Sequence, residues 1–92
     1  MITLEKIKDA HKKILQYVNY TPLVHSEYLS NYSNVKLKLE NFQITGSFKL
    51  RGALNKLLSL SKSEKEKGVI AVSTGNHGKG VAYEVIENAP GR

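Results

Sequence analysis

The residue best placed to do chemistry in this sequence is Lys49, in the run Asn41-Phe42-Gln43-Ile44-Thr45-Gly46-Ser47-Phe48-Lys49-Leu50-Arg51-Gly52. An alternating apolar run precedes it and helix-periodic leucines follow, so the lysine sits at a strand-to-helix turn. In open α/β sheets such turns lie at the carboxyl ends of strands, where ligands bind. A lysine in the first turn of a helix holds its ammonium at the positive end of the macrodipole, an unfavourable place for it. That placement, with Arg51 two residues on, favours the neutral amine, the form that adds to a carbonyl. A solvated surface lysine is the ordinary alternative reading.

A second candidate cluster is Ser73-Thr74-Gly75-Asn76-His77-Gly78. It follows an apolar run and opens another helical pattern. Backbone N–H groups at a helix start bind anions, and Gly75, Asn76 and His77 offer them here. Glycine at the turn allows close approach, and Ser73 and Thr74 add hydroxyls. An amino-acid carboxylate fits such a nest, and so does a phosphate. The spacing is neither G-x-G-x-x-G nor a P-loop, which removes the nucleotide readings. Ordinary helix capping accounts for Ser73 and Thr74 equally well.

The elements that must position these clusters follow from periodicity. Val35-Lys36-Leu37-Lys38-Leu39 alternates as a strand with one buried face does. A helix is expected over 46–60, with Leu50, Ala53, Leu54, Leu57 and Leu58 as its apolar stripe. Gly52 inside it costs ~1 kcal/mol against alanine, which a close helix–sheet approach would explain. Residues 61–68 read as a charged connection. Val69-Ile70-Ala71-Val72 reads as a strand buried on both faces. A third helix then buries Val81, Ala82, Val85 and Ile86. Strand, helix, strand, helix makes a right-handed βαβ unit with one helix more. Neighbouring strands ~4.8 Å apart would bring the turns of Lys49 and Asn76 to one sheet edge.

Upstream, Thr3 can cap a helix whose apolar face is Leu4, Ile7, Ala10, Ile14, Leu15 and Val18. It should end by Thr21, because Pro22 forces its predecessor out of the α region. Around 24–33, Leu23, Val24, Tyr28 and Leu29 suggest a short strand and turn. His11 and His25 read as packing or surface residues.

The 92 residues suffice for one small core that buries ~60–65% of the unfolded chain's surface. The absence of cysteine excludes a disulfide framework and a thiolate metal site, and it suits a cytoplasmic setting. No apolar window reaches the ~18 residues of a membrane span. The net charge of +6 raises a nucleic-acid reading. Its lysines are instead dispersed and interleaved with Glu5, Asp9, Glu64 and Glu66, without an aromatic-studded basic stripe. The expectation is therefore neither a nucleic-acid nor a membrane partner.

The run from Glu40 to Ala53 resembles the cofactor-lysine segment of the serine/threonine dehydratases. These are pyridoxal-phosphate enzymes of the tryptophan-synthase-β-like fold, fold type II, and include serine racemase. Ser73-Thr74-Gly75-Asn76-His77-Gly78 resembles that family's Ser-x-Gly-Asn-His loop, and Thr21-Pro22-Leu23 its opening turn. The two main motifs lie in the right order, roughly thirty residues apart, as a βαβ unit requires. The likeness runs from about Ile7 to Tyr83. It implies an α/β fold, and pyridoxal 5′-phosphate held covalently by Lys49, which then acts as the base at the substrate's α-carbon. Phe48 would pack near the cofactor ring, and Asn76 would bond its 3′-oxygen. Ser73, Thr74, Gly75, Asn76 and His77 would hold the carboxylate of a small amino-acid substrate. The reaction implied is loss of water from L-serine or L-threonine to give a 2-oxo acid and ammonia. Thr74 stands where the racemase has a serine, which makes racemisation the weaker implication.

Family enzymes are longer and carry a glycine-rich phosphate loop and a ring-nitrogen partner downstream. Neither is found here, and the stretch Glu84-Val85-Ile86-Glu87-Asn88-Ala89-Pro90-Gly91-Arg92 drifts from the family pattern into a turn-like tail. The expectation is a single incomplete α/β segment over residues 1–92, an N-terminal piece of the fold that is inactive alone. Full-length members are expected to be homo-oligomers, and this segment's open edges to favour self-association. The alternative is a non-catalytic α/β segment that binds a small anion or a partner chain.

Overall fold

Thr3 and Ser61 each begin a helix by the same local chemistry. Thr3 lies in extended backbone and its hydroxyl accepts from the Lys6 amide, opening α1 (Leu4–Ile14). Ser61 and Glu64 form a reciprocal capping box that opens a further helix, Lys62–Lys67. The computed structural model describes residues 1–87, apart from the side chain of Ile86. The expected tail beyond Glu87 and the expected burial of Ile86 lie outside the described residues.

After α1 come β1 (Leu23–His25) and β2 (Lys36–Lys38), a two-stranded antiparallel ladder pairing Leu23 with Lys38 and His25 with Lys36. Bonds from Ser26 N to Val35 O and from Leu39 N to Pro22 O carry the register one step past each end. Then follow α2 (Lys49–Leu58), α3 (Lys62–Lys67) and α4 (Asn76–Glu87), with short 3-10 turns at Tyr28–Ser30 and Glu40–Phe42.

The core is small and helical. Leu50 and Leu54 of α2 are fully buried beside Ile14 of α1, with Tyr17, Val18, Leu58 and Tyr83 packed against them. Fully burying each leucine contributes about 1.5–3 kcal/mol. The tightest approach is between α2 and α4. A Cβ on Gly80 would lie 3.3 Å from Leu50 Cα and 3.4 Å from Ala53 Cβ, so any side chain there would make the two helices give by a few tenths of an ångström. Away from this core the chain is elongated: its radius of gyration is 15.8 Å, where a compact chain of this size has ~12 Å.

Several expectations are corrected. Residues 69–72 form no strand, and Ile70 and Val72 are 96% and 93% exposed. A strand needs a neighbour to receive its N–H and C=O groups, and no described segment pairs with this one. The parallel βαβ pair is therefore absent among the described residues. The residues of β2 are exposed on both faces, since two short strands alone cannot bury one. The second helix starts at Lys49, not 46, because Gly46 has φ +81°, which no right-handed helix accommodates. A Cβ at Gly52 would meet nothing within 4 Å, so no close approach explains that glycine. The charged connection contains α3, ended by Gly68 at φ +80°. On α4 the buried positions are Gly80 and Glu84, one turn apart; Ala82 and Val85 are exposed and Val81 is half-buried. The close approach at Gly80 decides which face of that helix turns inward.

Candidate active site

Lys49 is the first residue of α2. The left-handed turn at Gly46 redirects the chain into the helix, and the Ser47 hydroxyl accepts from the Lys49 amide at 3.3 Å. The side chain is exposed, with its Nζ 5.4 Å from the centre of the Phe48 ring.

The second cluster arrives through α4. The Ser73 hydroxyl accepts from the Gly75 amide at 3.0 Å, and Gly75 O accepts from the Lys79 amide at 2.9 Å. The first-turn N–H groups that follow have no acceptor within the helix. Because α4 is seated on α2 at Gly80, both helix starts open on one groove of about 560 Å³, lined by Lys49, Val72, Ser73, Thr74, Asn76 and His77. Phe48, 60% exposed, and Gly75 stand outside its wall. The two turns thus share a groove through helix packing, not through the sheet edge that the sequence suggests. His77 also borders a smaller apolar hollow with Leu57, Leu60, Ile70 and Val81.

A polar network behind Lys49 escaped the reading of single residues. The Glu40 carboxylate receives the Arg51 guanidinium through Nε and, at 3.2 Å, through Nη2. It also accepts from the fully buried Thr21 hydroxyl at 2.6 Å and from Gln43 Nε2 at 3.5 Å. Gln43, itself buried, bonds Asn19 at both the N–H and the C=O, at 3.0 and 2.9 Å. Arg51 holds the carboxyl of Glu40 down at about 2 from its ordinary 4.5, helped by Thr21 and Gln43 against the opposing effect of burial. Arg51 is therefore spoken for: its charge is directed to Glu40, on a side of α2 that does not face Lys49. The signal for this network is the strand register. Leu23 opposite Lys38 puts Thr21 opposite Glu40 two residues further back. From sequence Thr21 reads as a helix stop and as the start of the family-like opening turn, and Glu40 as the edge of a motif; neither reading pairs them.

Among the described residues no cluster of His, Asp or Glu could hold a metal ion, and no helix is long and apolar enough to cross a membrane. The model of the family described as "Pyridoxal-phosphate dependent enzyme" matches residues 14–83. The L-threonine ammonia-lyase of Thermotoga maritima is 50% identical over 84 residues, which are 89% of this chain and 21% of that enzyme. The catabolic L-threonine dehydratase of Staphylococcus aureus (strain USA300) is 51% identical over 85 residues, 89% of this chain and 25% of that protein. Among solved structures, serine racemase from Dictyostelium discoideum superposes with a TM-score of 0.83 at 42% identity, covering 91% of this chain and 28% of that one. Maize serine racemase gives 0.77 at 36% identity, over 86% of this chain and 26% of the other. The chain thus spans between a fifth and a quarter of the length of the curated relatives it matches.

Proposed function

The chain belongs to the pyridoxal-phosphate-dependent enzyme family, and from that premise we propose that it supplies the lysine-bearing wall of a hydroxy-amino-acid dehydratase site. The observation that carries the reading is the single groove shared by Lys49 and the start of α4. The substrate class is L-threonine or L-serine, and the products are the 2-oxo acid and ammonia. The residues present suit the aldehyde end of pyridoxal phosphate: an exposed amine stands beside hydroxyl and amide groups in a groove roomy enough for a ring and an amino acid. When bound, that cofactor withdraws electrons from the substrate's α-carbon. Lys49 would hold the cofactor through Nζ and carry the α-proton at the same atom. Asn76 would orient the ring oxygen, with Phe48 covering the ring from outside the groove wall. The hydroxyls of Ser73 and Thr74 and the unpaired first-turn N–H groups of Asn76 and His77 would receive the substrate carboxylate, with Gly75, its amide held by the Ser73 hydroxyl, shaping the turn.

Racemisation of serine is the second reading, favoured by the likeness to solved serine racemases and weakened by the bulk of Thr74. The primary test is labelling. The 92-residue chain is incubated with pyridoxal phosphate, reduced with borohydride and mapped by mass spectrometry. The adduct should concentrate on Lys49, and Lys49→Ala should abolish that preference. An even spread over all lysines overturns the reading.

A further inference from the structure

Resting on the dehydratase reading, we propose that Glu40 is a positioning residue: clamped by Thr21 and Arg51, it sets the rotation of α2 and so where the Lys49 amine points. Lys49 is the first helical residue and its own N-cap, Phe48, makes no side-chain capping bond. Neither can fix the azimuth of the helix start. On the apolar side Leu50 and Leu54 do this by burial. The polar constraint is Arg51, about 200° on from Lys49 and about 100° on from Leu50, at the border of that buried face.

Glu40 grips Arg51 through both Nε and Nη2, a fork geometry that fixes orientation as well as distance. The carboxylate is not free to follow the helix, since the buried Thr21 hydroxyl donates to it at 2.6 Å. Gln43 ties the same turn to Asn19 by two further bonds. Three separate stretches, 19–21, 40–43 and the first turn of α2, therefore meet on one carboxylate. A displacement of about 1 Å in a reacting group can cost on the order of a hundredfold in rate, so a brace on the first turn of the helix matters to the amine.

The experiment uses the 92-residue chain and reads the rate of borohydride-trapped adduct at Lys49 relative to the other lysines of the same molecule. Thr21→Val keeps the buried volume and removes the hydroxyl, while Thr21→Ser keeps the hydroxyl. Glu40→Gln keeps the shape and removes the charge. The preference for Lys49 should fall roughly tenfold in Thr21→Val and Glu40→Gln, and return in Thr21→Ser. Two-dimensional amide spectra check that each variant stays folded, and where Glu40→Gln does not, Thr21→Val with its rescue by Thr21→Ser decides the outcome. Selective labelling in the wild type with equal selectivity in Thr21→Val overturns this proposal and leaves the function standing. Unselective labelling in the wild type overturns both.

Discussion

Gly80→Leu is expected to lower stability by about 3 kcal/mol and to erase the preference of pyridoxal phosphate for Lys49. A Cβ at this position already lies 3.3–3.4 Å from Leu50 Cα, Leu50 N and Ala53 Cβ. Two of those atoms are backbone and cannot rotate away, so a leucine can be housed only by moving one helix off the other. Such a movement opens the side of the core where Tyr83 packs against Leu50 and Leu54. It also carries Ser73, Thr74 and Asn76 away from Lys49, because α4 holds them in the shared groove. Gly80→Ala is the informative control. Alanine gains up to ~1 kcal/mol of helix propensity, which offsets the milder crowding. Chemical denaturation of the three proteins measures this; equal stability of the leucine variant would show that α2 and α4 are not held together at Gly80.

The second large effect is on acid stability. Glu40 has its folded pKa lowered to about 2 from 4.5. A depressed carboxylate contributes stability that is fully present above its ordinary value and lost as pH falls through the folded one. The contribution, on the order of 2–3 kcal/mol, should therefore persist above pH 4.5 and drain away between there and pH 2. Glu64 is also lowered, by its bonds to Ser61, so acid titration of the wild type alone is not specific. The difference in unfolding free energy between wild type and Glu40→Gln isolates the effect. It should be largest near neutrality and shrink across that window; a difference independent of pH would detach Glu40 from the acid response.

What could be read in the residues was local. The Thr3 cap, the Leu50–Ala53–Leu54 stripe, and helix starts near Lys49 and Asn76 all follow from caps and periodicity within a few residues. The Ser61-x-x-Glu64 box was equally legible, but a helix without an apolar stripe gives periodicity nothing to register. The misreadings were of relations between segments. Val69-Ile70-Ala71-Val72 has the composition of a buried strand, and composition does not say whether a neighbour is present. The inward face of α4 is chosen by a glycine, which apolar periodicity ranks last. The Glu40 network depends on ladder register, and three-residue strands are too short to reveal theirs in advance. The groove itself was anticipated from two turns, yet for a sheet that these residues do not build.

The exposure of residues 69–72 has a consequence for how the molecule keeps time with solvent. Apolar side chains there face water, and no backbone ladder holds their amides. In deuterated buffer those amides should exchange at nearly the rate of an unstructured chain, before the first spectrum is complete. The amides of Ala53 and Leu54, in the middle of α2 on its buried face, open only with the core and should outlast them by orders of magnitude. The slow and fast populations would then meet at the start of α4, within a few residues of the groove. A ligand that orders Ser73 and Asn76 would push that boundary toward Ile70, making isotope uptake at four apolar residues a gauge of occupancy next door.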